Sequence, residues 1–171
     1  MAAYILLGQL AEKPGAAELA QVTAQIGEMP VEAQTLDAVL RGEDTADFDP
    51  FEVDKALAAV KRIDEAVKDA ELLIDGYLRQ RGYKLPFERV PRLLTVWTRA
   101  IARYYLHQHL ITDEKSPILR DYKDALKLLM LVAEGKFSLG LEDELAQTAG
   151  LAKFNAPPRV FTQQTLYLGI N

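Results

Sequence analysis

A mainly α-helical bundle with an extended C-terminal arm is the fold this sequence predicts, and three observations predict it. Apolar residues recur every three to four positions through three long stretches. Each stretch opens on a helix-start signal built around Pro50, Pro91 or Pro117. The helical period then stops after Gly140, although large apolar residues continue to Ile170. The division that follows is a helical domain over residues 1–140 and an extended arm over 141–171.

The elements follow in order. A short apolar helix over residues 4–12 stops at Pro14-Gly15, and a second covers about 16–26. In the polar stretch that follows, residues 31–40 form a short helix closed by Gly42. Asp49 caps the longest helix, with Pro50 at its first position and Glu52 completing a capping box. Its stripe is Val53, Leu57, Val60, Ile63, Val67, Ala70, Ile74 and Tyr77, and Gly82 closes it after Arg81. Pro91 opens a helix whose inner face carries Leu94, Trp97, Ile101, Tyr104 or Tyr105 and Leu110. Ser116 caps the last, with Pro117 first and Ile118, Tyr122, Ala125, Leu126, Leu129 and Val132 facing inward until Gly135.

Hydrophobic residues make up 49% of the chain and charged residues 26%, a balance that supports a folded domain and not a disordered one. The net charge of -5 supplies no basic field for gripping a nucleic-acid backbone. Without cysteine there is neither a disulfide framework nor a thiolate metal site. The opening "MAAYILLGQLAEKPG" lacks a basic leader and predicts no secretion signal. No run approaches the roughly 20 apolar residues that span a bilayer, so a soluble protein with no membrane partner is expected.

Candidate chemistry is sparse. His107 and His109 stand two apart, diverge on a helix, and are expected at the helix margin and in water. The adjacent acids Asp64-Glu65 and Asp143-Glu144 diverge likewise and read as solvated faces. Arg92, Arg99 and Arg103 form a weak basic strip suited to a neighbour's carboxylates or to phosphate. No phosphate loop, nucleophile elbow or metalloprotease helix occurs, so no catalytic residue, cofactor or metal is assigned. The tail is too apolar for a solvated linker and should lie against something, either a neighbouring subunit or its own domain. Its candidate interface residues are Arg159 as a polar contact and Phe161, Leu166 and Tyr167 as apolar ones, with Phe161 and Leu166 the anchors.

Five blocks, "YILLGQLAEKPGAAELAQVT", "ELLIDGYLRQRGYKLPFERVPRLL", "AIARYYL", "DYKDALKLLMLVAEGKFSLG" and "RVFTQQTLYLG", resemble in kind and order the Mu-like phage and prophage head-completion protein family. Residues 24–49 depart from that pattern. The resemblance implies a non-enzymatic neck subunit of the virion, a head-tail connector or adaptor assembled in the host cytoplasm. It implies a homo-oligomeric ring, twelvefold in step with the portal protein above it, with a downstream neck or tail-completion protein below. DNA would pass through the ring without sequence-specific binding. The alternatives are a stopper or tail-completion protein of the same neck, or a helical peptide-binding regulatory module.

Overall fold

A computed structural model describes residues 3–24 and 27–140. Among them the order is α1 (Leu7–Leu10), a wide π-type turn (Ala11–Gly15), α2 (Ala16–Thr23), α3 (Ala33–Arg41), α4 (Pro50–Arg81), α5 (Arg92–His107) and α6 (Pro117–Ala133), with no β-strand. The mainly α fold is thus as the sequence predicts, while the expected arm, 141–171, lies outside the described residues.

Helix α4 is the spine. Its 32 residues span about 48 Å at 1.5 Å per residue. It starts where Asp49 Oδ1 accepts the Phe51 N–H at 2.8 Å, and ends where Gly82, at φ 97°, takes the left-handed conformation. The expected capping box forms only by half. Glu52 does not return to Asp49 but accepts the N–H of Glu32 at 3.1 Å and pairs with Lys55 at 2.9 Å, tying the start of α3 to the first turn of α4.

The buried side of α4 also differs from the expected stripe in its first half. Ala56 and Ala59 face the core, whereas Leu57 is 53% exposed. Helices α2 and α3 pack there, and two methyl groups let them approach where a leucine would hold them off. From Ile63 onward the expected residues Val67, Ala70 and Ile74 are buried, joined by Ala66 and Leu78.

The two halves of α4 serve different neighbours. Toward its start, the Arg62 guanidinium donates to the carbonyl of Thr23, the last residue of α2 before Ala24 turns extended; the rest of the expected helix, residues 25 and 26, lies outside the described residues. Its remaining length packs against α5 and α6 through Leu94, Trp97, Ile101, Ala125, Leu129 and Val132. Trp97 is 3% exposed, as its place in the stripe requires. Helix α5 stops at His107, and Leu110 turns outward with its N–H on the His107 carbonyl at 2.7 Å; at 65% exposure it is no part of the inner face. Ser116 occupies the cap position of α6 but makes no side-chain cap bond. Gly135, at φ 75°, closes α6 beside Arg81, whose Cζ would stand 3.1 Å from a Cβ added there. The two helices therefore finish at one pole, where a guanidinium suits both negative helix ends.

At the N-terminus, α1 is one turn long and starts after Leu6, whose backbone is extended at φ -90° and ψ 142°. Leu6 N–H goes to Gln9 Oε1 at 3.0 Å and Tyr4 N–H to Glu71. Lys13, extended at φ -152°, and Gly15, at φ 112°, then break the path before α2.

The contrast between the two caps is testable. Asp49→Ala should lower the unfolding free energy in urea by about 1 kcal/mol, the usual worth of an N-cap bond, with Ser116→Ala costing clearly less. Equal losses at both sites would remove the cap from the account of α4.

Candidate functional site

The residues with chemistry in them divide into a buried cluster and an outer face. The buried cluster centres on α4, where Glu71 and Asp75 are each only 7% exposed although they sit among Ala70, Ile74 and Leu78. Glu71 Oε1 accepts the Tyr4 N–H at 2.6 Å, and the Tyr4 phenol donates to Asp75. Thr95 Oγ1 of α5 donates to the Tyr4 carbonyl at 2.8 Å, and Arg79 stands 3.5 Å from Asp75. Tyr4 and Tyr83 pack against Phe87, with ring centroids 6.5 and 5.7 Å apart, and close the cluster over. Burial pushes the Tyr4 phenol far above its ordinary range, and the bond to Asp75 adds to this. Burial likewise raises the Glu71 carboxyl, with the Tyr4 and Ile5 amides opposing it and Asp75 and Asp64 reinforcing it. A phenol held that high is no base near neutral pH; the group's work is to pin the N-terminal segment to two helices. Sequence reading passed over it, though two acids four apart on an apolar stripe were its signal.

The histidines take the places expected of them. His107 is half-buried, with Nδ1 2.8 Å from the Arg103 carbonyl and Nε2 3.3 Å from Glu18, while His109 is exposed. Asp64 is engaged by Lys68 one turn on. No group of three His, Asp or Glu among the described residues is placed to hold a metal. Nor is any of their helices long and apolar enough to cross a membrane.

The basic strip does not survive as one surface. Arg103 grips Glu18 of α2 with both arms, at 2.6 and 2.7 Å, so its charge is used within the fold. Arg99 and Arg92 remain on the face formed by the π-type turn, α5 and α6. Two grooves cross that face. One of about 280 Å3 runs between α5 and α6 past Pro14, Val96, Ala100 and Leu128. The other, about 700 Å3, is lined by Arg89, Arg92, Val96, Arg99 and Leu139. Leu93 and Val96 lie exposed on the same helix, so α5 carries more apolar side chains than its buried stripe needs. That excess was legible in "RLLTVW".

Two more surfaces have the character of contact sites. Met29, 82% exposed, and Phe51 border a groove of about 690 Å3 along α2 and the start of α4. At the α5–α6 seam, half-buried Tyr104 and Tyr122 stack with centroids 3.9 Å apart and planes 11° from parallel. Tyrosines in that state supply large, stiff area at little entropic cost. The sequence-derived interface residues Arg159, Phe161, Leu166 and Tyr167 all lie outside the described residues, as do Asp143 and Glu144.

Comparison with known proteins gives two matches of note. The sequence profile of the family described as "Bacteriophage Mu, Gp36" matches residues 4–156. The Mu-like prophage FluMu protein gp36 of Haemophilus influenzae is 41% identical over 83 residues, which are 48% of this chain and 56% of that protein. The chain thus spans little more than half the length of that relative. No solved structure matches.

The buried carboxylate cluster sets a pH test with a definite sign. Glu71's folded pKa lies above its unfolded value, so its contribution to stability is full below the unfolded carboxylate range and is lost as pH rises through the folded pKa. Glu71→Gln keeps an acceptor for the Tyr4 amide but cannot ionise, so its stability relative to the parent should improve between pH 4 and pH 8. Glu71→Ala orphans buried amides and should cost on the order of 1–3 kcal/mol at either pH. Urea unfolding at the two pH values measures both; a Gln variant whose offset from the parent does not move with pH would contradict the assignment.

Proposed function

The chain belongs to the bacteriophage Mu Gp36 family, and from that premise we propose that it is a structural subunit of a Mu-like phage virion, acting in head completion as a head-tail adaptor. The family match over residues 4–156 carries this reading, because it takes in the helical body and the first part of the tail together.

What the subunit does follows from how a ring is closed. Head-to-tail contacts require each copy to present two different surfaces, one offered and one receiving. The helical body supplies receiving surfaces in its grooves and in the Tyr104–Tyr122 stack. The tail, with Phe161, Leu166 and Tyr167 as apolar contacts and Arg159 as a polar one, is the offered element. Ordering such a segment costs conformational entropy that only a partner's groove offsets, which suits assembly late in the pathway. The ring is homo-oligomeric and twelvefold, bound to the portal on one side and to a downstream neck or tail-completion protein on the other. The subunit stands in the virion neck with no catalytic role, and DNA passes it without sequence-specific binding.

The test separates folding from assembly. A chain ending at Gly140 should keep a helical circular dichroism spectrum and a buried Trp97 emission, yet fail to form a ring with a Mu-like portal in size measurements and fail to complete heads. Phe161→Ala with Leu166→Ala in the full chain should weaken ring formation at least tenfold, the loss of roughly 1.4 kcal/mol or more expected for apolar interface anchors. A truncated chain that folds and completes particles as well as the parent would put assembly on the helices and remove the arm from the mechanism.

A further inference from the structure

We propose that the acidic stretch directly after Gly140, Leu141-Glu142-Asp143-Glu144-Leu145, docks in the arginine-lined groove of its own chain and so fixes where the C-terminal tail leaves the body. The inference stands on charge and geometry and is independent of the neck reading.

The groove is unusual in its balance of charge. Arg89, Arg92 and Arg99 all line it, and none of the three forms an ion pair among the described residues. The acid on its wall, Glu12, stands 3.7 Å from Arg41. Arg99 Nε, moreover, is buried without a hydrogen-bond acceptor. A guanidinium N–H in that position is costly unless something accepts from it. Three cationic heads and an orphaned donor specify an anionic occupant.

The chain itself brings one to the spot. Leu139 lines the groove, and the next residues after Gly140 carry three consecutive carboxylates between two leucines. Five extended residues reach about 17 Å, enough to run along the groove from that start. The flanking leucines match its apolar wall at Val90 and Val96. Attachment beside the site also gives the segment a high effective concentration, against which a free acidic peptide or a nucleic-acid phosphate competes poorly. The chain's net charge of -5 further disfavours a polyanion from outside.

The absence of cysteine in the chain makes a direct test clean. Val96→Cys and Ala146→Cys are introduced together in the full-length protein, treated with a short bismaleimide, and the bridged peptides identified by mass spectrometry. Bridging within one chain is expected to be fast. It should slow about tenfold when exposed Arg89 and Arg92 are both changed to Glu, the loss of two or three partly screened ion pairs, and likewise in 1 M salt. Adding Glu142→Lys, Asp143→Lys and Glu144→Lys to the Arg89→Glu, Arg92→Glu chain should restore the rate. Thermal melting of each variant confirms that the body remains folded. An unchanged rate after charge reversal, failure of the reversed pair to rescue, or bridging only between two chains would each overturn the proposal. So would a single-stranded oligonucleotide that binds the parent and loses its binding in the Arg89→Glu, Arg92→Glu variant while the bridging rate stays the same.

Discussion

Helices α2, α3, α5 and α6 all pack on α4, along a buried face in which small groups recur. Ala56, Ala59, Ala66 and Ala70 alternate with Ile63, Val67, Ile74 and Leu78 along the buried face. Alanine is the strongest helix former and occupies the least space, so it both lengthens the helix and lets its neighbours come close. A helix of 32 residues is useful as a spine only if several others can reach it. Into the same face the sequence inserts two carboxylates, Glu71 and Asp75, which would be destabilising if left bare. They are tolerated because Tyr4 and Arg79 satisfy them, and this makes the N-terminal segment a required part of the core instead of a loose end.

The long helices were legible because periodicity and terminal chemistry agreed. Pro50 and Gly82 bracket α4, Pro117 and Gly135 bracket α6, and the stripes between them are regular. Where expectation and structure part, a tertiary contact outweighed a local signal. Glu52 has the sequence position of a capping-box residue, but the Glu32 amide and Lys55 offered it better partners. Leu57 fits the helical period as well as Ala56 does, and only the proximity of α2 and α3 decides between them. Pairing of Glu18 with Arg103 joins residues 85 apart in the chain, which no local pattern announces.

Excess apolar residues on α5 could be read from the sequence, but grooves are made between elements, and their linings come from the π-type turn, α5, α6 and the segment after α6. Charge is distributed to suit this. Arg103 and Arg62 are consumed in holding α2, one through Glu18 and one through a carbonyl, while Arg89 and Arg92 are left outside.

The meeting of α4 and α6 beside Arg81 and Gly135 also has a mechanical side. Since the two helices finish at one pole and pack along each other, they run in the same direction. Traction applied at the end of α6 and directed away from that pole loads the helix along its own axis. Its interlocked side chains must then slide together in shear, instead of opening one after another like a zipper. The geometry therefore resists tension where a hairpin-like exit would peel.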